Sequence, residues 1–256
     1  MPHIAAAGHS ISYQMIDGAG PTLVFLHEGL GSIRQWRDFP RKVAAATGCR
    51  ALVYDRYGYG QSDVLAEPRV GVRFMHDGAL TELPALLAAL KVENPILVGH
   101  SDGASIALIY AGTYPVRGVV VMAPHVFIER FNLKSIEKIA SAFETSGLKE
   151  GLAKYHRDAA KTFHLWADAW LDPAFLSWNI EEYLPRIRCP LLAIQGERDE
   201  YGTMAQLDAI ARQVGGPCEL LKLADCGHAP FKDASDKVLN SISNFVGRIL
   251  GTDGKN

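Results

Sequence analysis

The stretch Pro95-Ile96-Leu97-Val98-Gly99-His100-Ser101-Asp102-Gly103 decides how the rest of this chain is interpreted. Its last five residues match the pattern G-x-S-x-G, in which a serine on a sharp strand-to-helix turn projects its hydroxyl clear of the backbone. Glycines on both sides allow neighbouring segments to approach such a turn closely. The apolar run before the turn is typical of a buried parallel strand, and the apolar residues 104–111 predict a helix after it. Strand, turn and helix therefore stand in the order that the pattern requires.

The composition predicts an ordinary globular protein with one α/β domain and an inserted element. Its 256 residues are 48% apolar and 21% charged, with a net charge of −2. This charge gives no electrostatic basis for binding nucleic acid or an anionic membrane surface, and no apolar run approaches the ~20 residues of a membrane helix. The N-terminus shows no signal-peptide pattern, and the cysteines form no C-x-x-C pair. We therefore expect reduced thiols and a cytoplasmic location.

Strands and helices alternate through most of the chain, which predicts a mainly parallel sheet with helices on both faces. The Asp17-Gly18 signal between the expected strands 11–16 and 22–26 predicts a β-hairpin. A helix is expected over residues 36–47, and Pro84 is expected to kink or restart the helix over residues 76–90. Only helical patterning is present from residue 127 to residue 184. This segment is therefore expected to be an insertion over one end of the sheet.

A serine nucleophile needs a base within hydrogen-bond reach, and the base needs an acid that orients it. His228 directly follows the last expected strand, and Asp199 directly follows the strand before it. Ligands bind beyond the carboxyl ends of an open parallel sheet, so these side chains are expected to meet the serine there. Glu197 and Glu200 are alternatives to Asp199 as the acid. Asp225 also lies near the histidine, where it is interpreted as a turn residue.

Five segments together resemble the α/β-hydrolase superfamily over essentially the full length of the chain. They are L-H-E-G-L-G-S at 26–32, D-R-Y-G-Y-G-Q-S at 55–62, the pentapeptide at 99–103, G-E-R-D at 196–199 and G-H at 227–228. The resemblance implies an α/β-hydrolase fold with a mostly parallel sheet of about eight strands. It implies Ser101 as nucleophile, His228 as base and Asp199 as acid. Residues 1–124 and 185–256 would form the core domain, and residues 125–184 a helical lid.

The family also implies an oxyanion hole built from two backbone N–H groups. One donor is the N–H of Asp102, which follows the nucleophile at a helix N-terminus. The second comes from the loop after the strand 22–26, where many relatives have His-Gly-x-x-Gly and this chain has H-E-G-L-G at 27–31. An alignment without gaps makes Gly29 the donor, and a shift of one residue makes it Leu30. Glu28, which replaces the usual glycine, either points into the pocket or hydrogen-bonds the loop.

The inserted helices are rich in aromatic residues, which predicts an apolar acyl or aromatic subsite. Asp102 puts a carboxylate beside the serine. Facing the pocket, it would favour cationic substrates, whereas capping its own helix would leave the substrate undetermined. The remaining pocket candidates come from predicted strand ends and from the insertion: Glu28, Trp36, His125, Phe163, Trp166 and Trp170.

These features predict a serine hydrolase that cleaves small carboxylic esters or lactones through an acyl-enzyme, without metal or cofactor. C–C bond hydrolases, thioesterases and cofactor-free perhydrolases use the same triad, and the fold cannot choose among them. Dehalogenase chemistry is disfavoured because it needs a carboxylate at position 101. A ligand-sensing module that retains the triad is the alternative from another functional class. The expected partner is a small-molecule ester or lactone, with no nucleic acid and no membrane, and the chain is expected to be a monomer or a homodimer.

Overall fold

A computed structural model of the chain describes residues 1–66 and 71–251. Eight strands form one sheet, with the sheet order β1-β2-β4-β3-β5-β6-β7-β8. Neighbours from β4 through β3 to β8 are parallel, while β1–β2 and β2–β4 are antiparallel. The mostly parallel sheet is therefore confirmed. The strand bounds are β1 His3–Ala6, β2 His9–Ile16, β3 Gly20–Leu26, β4 Cys49–Tyr54, β5 Ile96–His100, β6 Gly118–Met122, β7 Leu191–Gly196 and β8 Cys218–Leu223.

The predicted hairpin through Asp17-Gly18 is wrong, because β4 lies between β2 and β3 in the sheet. Gly18 instead packs against the backbone of Cys49, where a Cβ would overlap the carbonyl group. The glycine thus serves a close approach between segments. The hairpin that does form joins β1 to β2 through Ala7 and Gly8, whose φ angles are 50° and 84°.

The helices pack on both faces of the sheet. Along β3, Val24 and Leu26 belong to the apolar cluster on one face, and Leu23 and Phe25 to the cluster on the other. This alternation follows from the two-residue period of a strand. The helix bounds are α1 Phe39–Thr47, α2 Phe74–Asp77, α3 Leu83–Ala89, α4 Asp102–Ala111, α5 Arg130–Ala142, α6 Leu148–Ala153, α7 Ala159–Leu171, α8 Ala205–Gln213, α9 Pro230–Asp233 and α10 Ser235–Leu250, with 3-10 turns at Ile33–Trp36, Pro173–Ser177 and Glu181–Arg186 and a π turn at Gly78–Glu82.

Two helices depart from regular geometry where the sequence explains it. The helix expected from residue 36 starts only after Arg37, whose φ of 55° separates a 3-10 turn from α1. The π turn leads into α3 with helical backbone angles at Glu82 and Leu83, so the helix accommodates Pro84 through the π turn and the expected restart does not occur. Proline has no N–H to give to the carbonyl four residues earlier. That carbonyl, on Leu80, is 3.4 Å from the Tyr114 hydroxyl.

The chain between β6 and β7 contains α5, α6 and α7, two of the 3-10 turns and one isolated bridge between Phe127 and Asn179. Helix α5 packs against α7, and both contribute to the cavity beside Ser101. The division of the chain into a core and a lid at residues 124 and 185 stays a prediction. No helix in residues 1–66 and 71–251 has the length and apolar character needed to cross a membrane.

Candidate active site

Ser101 occupies a strained turn between β5 and α4, with φ 53° and ψ −121°. Such a conformation costs a non-glycine residue about 1–3 kcal/mol, which the surrounding structure must offset. The Ser101 N–H donates to the Met122 carbonyl at 2.9 Å. A Cβ at Gly99 would overlap the carbonyl of Gly103, and a Cβ at Gly103 would overlap that of Leu26. The two glycines of the pentapeptide therefore let the turn pack closely against its own helix and against β3.

Three side chains at the ends of β5, β7 and β8 form a continuous hydrogen-bonded chain. The Ser101 Oγ lies 2.9 Å from His228 Nε2. On the other side of the ring, Nδ1 lies 2.8 and 3.0 Å from the two carboxylate oxygens of Asp199. Because Nδ1–H donates to the carboxylate, Nε2 is left to accept the serine proton.

The Asp199 carboxylate is held in place by groups other than the histidine. Its Oδ1 accepts the N–H of Tyr201 at 2.8 Å and that of Gly202 at 3.2 Å, and its Oδ2 accepts Gln195 Nε2 at 2.8 Å. Burial raises the pKa of Asp199, but the His228 and backbone hydrogen bonds outweigh burial, and the net shift is downward. The acid beside His228 therefore stays ionised at neutral pH.

The other acids considered from the sequence lie away from the imidazole. Asp225 forms a 2.6 Å ion pair with Arg198, and both side chains are largely exposed. Glu197 and Glu200 are exposed as well. The structure thus brings Asp199, and none of these three, into hydrogen-bond contact with His228.

The loop of residues 27–31, after β3, has one peptide group whose orientation is strongly constrained. The Glu28 carbonyl accepts His27 Nδ1 at 2.8 Å, Arg56 Nη2 at 2.8 Å and the Gly31 N–H at 3.1 Å. In a trans peptide the next N–H points opposite to the carbonyl. The N–H of Gly29 is therefore turned away from these three donors. The loop presents Glu28 and Gly29 to the cavity beside Ser101.

Two histidines hydrogen-bond this loop, and the partners of each imidazole ring define its tautomer. His27 Nε2 accepts the Arg56 N–H at 3.1 Å, so its Nδ1 carries the proton of the bond described above. His156, between α6 and α7, accepts the Gly60 N–H on Nδ1 at 2.9 Å, so its Nε2 donates to the Leu30 carbonyl at 3.1 Å. Burial lowers the pKa of both histidines. Both are therefore neutral at pH 7, which these bonds require.

Asp102, at the start of α4, lines the same cavity. Asp102 is the first residue of that helix, where an N–H has no intrahelical partner and the helix dipole favours negative charge. Opposite it, a Cβ at Gly29 would overlap the indole of Trp166, so glycine is required there. Leu30, the alternative donor, also lines the cavity. Its carbonyl is the group that His156 binds.

The Glu28 side chain meets both expectations at once, because it lines the cavity and is bonded internally. Its Oε2 lies 3.4 Å from His100 Nδ1. Burial raises the pKa of Glu28, but the interaction with His100 dominates and holds that pKa well below the usual range. His100 in turn donates from Nε2 to the His228 carbonyl at 2.7 Å. The substituted loop thus places a carboxylate that is paired with the His100 ring on the wall of the cavity.

The Asp102 side chain is buried, and it too faces the cavity. Its Oδ2 is 3.9 Å from Arg56 Nη2 and has no hydrogen-bond partner among the described residues. Burial raises the pKa of Asp102 to about 6, against the opposing effects of Arg56 and His228. The Asp102 carboxylate therefore has an ion partner inside the protein, Arg56, and it also lines the space beside Ser101. The pocket-facing role and the internal role that were expected as alternatives are thus combined.

A cavity of about 140 Å³ lies beside Ser101, close to the size of an apolar cavity that holds benzene. Four of the expected pocket residues line it: Glu28, His125, Trp166 and Trp170. His125 is buried, and burial lowers its pKa to about 3, so it is neutral at pH 7. The wall is therefore mostly apolar, and the neutral histidine adds no positive charge to it.

Trp36 and Phe163, also expected in the pocket, are absent from the described residues that line this cavity. Trp36 packs into the core between Phe25 and Phe231, at ring-centroid distances of 5.5 and 4.6 Å. Phe163 stacks on Phe143 at 3.8 Å within the helical segment. Both expectations are corrected, because these large side chains are used for packing between elements.

Part of the lining was not predicted from the sequence, namely Asn132, Ile136 and Ile139 of α5 and Tyr201 after β7. The three α5 residues have the i, i+4, i+7 spacing of one helix face, which was a usable signal. Aromatic residues were considered instead. The Tyr201 ring lies 4.7 Å from the His228 ring, next to Asp199 in the chain. The cavity therefore combines an aliphatic helix face with the aromatic residues that were expected.

The cysteine thiols and the possible metal ligands of the chain were also compared with the arrangement around Ser101. The four cysteines are free thiols, and burial raises the pKa of Cys189 and Cys226 to about 11, which keeps these two protonated. Across residues 1–66 and 71–251, no group of three or more His, Cys, Asp or Glu side chains is arranged to hold a metal ion.

Comparison with known proteins places the fold. The model of the Alpha/beta hydrolase family matches residues 23–240. An epoxide hydrolase from Caballeronia sordidicola is 31% identical over 163 residues, which are 63% of this chain and 47% of that protein. The chain thus matches about half the length of this relative. The serine hydrolase BPHL of Mus musculus is 27% identical over 222 residues, which are 83% of this chain and 75% of that protein.

Solved structures share the whole architecture. An enol-lactonase from Burkholderia xenovorans LB400 superposes with a TM-score of 0.72 at 19% identity, covering 96% of this chain and 99% of that chain. A bacterial membrane phospholipase A gives a TM-score of 0.79 at 18% identity, covering 97% and 86%. At such identities the structural similarity establishes the fold alone. The family model spans most of the sequence, and together with the sheet and the turn at Ser101 it shows that the chain belongs to the alpha/beta hydrolase family.

Proposed function

We propose that this hydrolase is a serine hydrolase of small, neutral carboxylic esters or lactones. The observation that supports it is the hydrogen-bonded chain from Ser101 through His228 to Asp199, with distances of 2.9 and 2.8 Å. A weakly nucleophilic hydroxyl is activated by such a base, and the base is oriented by such an acid. Ser101 is then the nucleophile, His228 the general base and Asp199 the orienting acid.

In the proposed reaction, His228 Nε2 takes the Ser101 proton as the serine Oγ bonds to the substrate carbonyl carbon. The oxyanion accepts hydrogen bonds from the N–H groups of Gly29 and Asp102, each contributing about 2.7–4 kcal/mol. The imidazolium, stabilised by Asp199, protonates the leaving alkoxide and an acyl-enzyme forms. His228 next deprotonates a water molecule, which attacks the acyl carbon. Collapse of the second oxyanion releases the acid and returns the proton to Ser101.

The size and charge of the cavity support the substrate class. A space of about 140 Å³ with mainly apolar walls suits a short or compact acyl group. The carboxylates of Glu28 and Asp102 border this space, and Glu28 is held in its charged form. A substrate with a carboxylate would meet like charge and would have to be desolvated there. A neutral ester or lactone avoids both costs.

The test uses a fluorophosphonate probe and a series of esters. The probe should label the wild-type protein once, at Ser101, and labelling and ester turnover should be lost in Ser101→Ala. Ser141→Ala provides a matched control, because Ser141 is exposed on α5 and its hydroxyl donates to the Glu137 carbonyl within the helix. Ester turnover that persists in Ser101→Ala would overturn the proposed mechanism.

A second comparison selects the bond that is cleaved. Matched acyl groups are presented as an ester, a lactone, a thioester and a C–C bond substrate, and perhydrolysis is measured with added peroxide. We expect the oxygen esters or lactones to have the highest kcat/KM. A thioester or C–C bond substrate with a higher value would replace the substrate class while keeping the triad. Tight ligand binding without turnover of any substrate would favour the sensing module.

A further inference from the structure

Asn132 has surroundings that neither the fold nor the proposed triad explains. The residue lies in the first turn of α5, is fully buried and lines the cavity beside Ser101. Neither Nδ2 nor Oδ1 has a hydrogen-bond partner among the described residues. Its backbone N–H donates to the Glu129 carbonyl at 3.1 Å, but any residue except proline would make that bond. Buried amides are nearly always paired, because an unpaired one destabilises the folded state.

Packing alone does not explain an asparagine at this position of α5. Ile136 and Ile139 follow at the i+4 and i+7 positions and line the same cavity. An amphipathic helix places apolar residues along such a face. A leucine at position 132 would continue the aliphatic face and would remove the cost of burying an unpaired amide. The chain instead places a polar group where folding alone favours an apolar one.

The two unpaired atoms of the Asn132 amide indicate which class of ligand could bind there. A side-chain amide offers donors on Nδ2 and an acceptor on Oδ1, and it carries no charge. The carboxylates of Glu28 and Asp102 line the same cavity, so a substrate carboxylate would lose its hydration beside two groups that cannot donate a hydrogen bond to it while they are ionised. An ammonium group only donates, so it would pair with Oδ1 and leave Nδ2 unpaired. A hydroxyl both donates and accepts, but from a single oxygen it reaches the two amide atoms only through bent hydrogen bonds. A carboxamide pairs with both, because its C=O accepts from Nδ2 while its N–H donates to Oδ1.

We propose that Asn132 is a specificity-determining residue that binds a carboxamide group of the substrate through this pair of hydrogen bonds. The inference rests on the proposed function, and it adds a defined polar group to the class of neutral esters. A site built to pair such a group discriminates against an isostere that lacks it, because the buried polar atoms are then left unpaired. The preferred substrate is thus an ester whose acyl part carries a primary carboxamide.

The experiment compares three methyl esters of nearly equal shape by titrating the acid that they release. They are methyl malonamate with a carboxamide, methyl 3-methylbutanoate with an isopropyl group and monomethyl malonate with a carboxylate. Each is measured with the wild-type protein and with Asn132→Leu. The ratio of kcat/KM between the carboxamide and isopropyl esters is compared across the two proteins, so intrinsic differences in ester reactivity cancel. Asn240→Leu is the control, because it makes the same substitution at an exposed position of α10, outside the residues that line the cavity.

We expect the carboxamide-to-isopropyl ratio to fall about tenfold in Asn132→Leu, in line with the loss of neutral hydrogen bonds. Activity on the isopropyl ester should be retained or increased, and the melting temperature should rise because an unpaired amide is no longer buried. Asn240→Leu should leave the ratio within about twofold of the wild-type value. A merely structural Asn132 would lower both activities equally and would lower the melting temperature. Asn132→Val is a second variant with less bulk, and the same fall in ratio is expected.

Two results would overturn this assignment. One is a ratio that stays unchanged in both Asn132 variants while the enzyme hydrolyses the esters. The other is a larger effect of Asn132→Leu on the carboxylate ester than on the carboxamide ester, which would assign the residue to an anion. A failure of the proposed function looks different, because the wild-type protein would then hydrolyse none of the three esters and would not react with the fluorophosphonate probe.

Discussion

The two halves of the cavity differ in how their polar groups are partnered. The strand-end half consists of Ser101, Asp199, His228 and the loop of residues 27–31, where the side chains of the triad and the carbonyl of Glu28 make short hydrogen bonds. The helical half consists of the cavity-facing residues of α5 and α7. There, Asn132 and the indole N–H of Trp166 are buried without hydrogen-bond partners among the described residues.

In the proposed function, this difference corresponds to a division of roles, with the strand-end half acting on the reacting bond and the helical half selecting the substrate. Groups that act on a transition state work best when they are already oriented, and internal hydrogen bonds provide that orientation. Groups that recognise a substrate must keep hydrogen-bonding capacity available for it. We therefore expect changes in the strand-end half to lower turnover of every substrate by a similar factor, and changes in the helical half to alter the order of preference among substrates.

The largest expected effect comes from Asp199→Asn in the strand-end half. The amide would favour the wrong imidazole tautomer, and kcat should fall by about 10⁴-fold. The carboxamide and isopropyl esters should lose the same factor, measured in parallel at pH 7.5. Asp225→Asn is the matched control, because its exposed ion pair with Arg198 contributes at most about 1 kcal/mol and its kcat should stay within about twofold. A fall in kcat for one ester alone would contradict the assignment of reaction to the strand-end half and of selection to the helical half.

The next effect concerns the stability contribution of Asp102, which stands at the border between the halves. Its folded-state pKa of about 6 lies above its ordinary value of 3.8, so the unfolded chain loses this proton first as pH rises. The wild-type protein therefore loses stability from this group between about pH 4 and pH 6. Asp102→Asn lacks this titration. Between pH 4 and pH 7.5, the free energy of unfolding of Asp102→Asn should therefore rise by about 2–3 kcal/mol relative to that of the wild-type protein.

Urea unfolding at both pH values measures this difference, with Asp208→Asn as a control on an exposed ion pair. The control should shift by less than about 0.5 kcal/mol relative to the wild-type protein. A shift of the opposite sign for Asp102→Asn would mean that pairing with Arg56 outweighs burial. Asp102 would then belong to the fully partnered half.

The smallest effect tests the connection between the halves through His156. Its Nε2 donates to the Leu30 carbonyl and so holds the loop that carries Gly29. His156→Phe should lower kcat about tenfold with KM nearly unchanged, less than the loss of a whole oxyanion donor. His156→Gln should recover part of the loss, because its amide can donate to the same carbonyl. His164→Gln is the control, since His164 is exposed on α7. A change in KM alone would assign His156 to substrate binding.

Local signals in the chain were sufficient for the strand-end half. The G-x-S-x-G turn, the acid after β7 and the histidine after β8 are each placed by a short segment whose geometry depends on its own glycines and strand. The Asp17-Gly18 signal failed for the opposite reason. Its turn chemistry suits a hairpin, but β4 pairs with both flanking strands, and long-range strand pairing is invisible to a two-residue pattern.

The helical half was predicted less well, because its residues are selected by packing between elements. The aromatic content of the insertion suggested Phe163, Trp166 and Trp170, and a predicted strand end suggested Trp36, yet of these four Trp166 and Trp170 alone line the cavity. A large apolar side chain gains as much by stacking in a core as by facing a pocket, so composition alone does not separate the two. Asn132 was not predicted, because what distinguishes it is burial without a hydrogen-bond partner, which only the folded structure shows.

Local patterns in the chain predicted the family, the order of strands and helices around the serine turn, and the three residues proposed as the triad, since each rests on short-range geometry. The tertiary structure decided the rest. It oriented the Gly29 N–H by binding the Glu28 carbonyl with His27 and Arg56, and it set Asp102 between an ion partner and the cavity. These outcomes depend on burial and on contacts between residues distant in the chain, which no local pattern encodes.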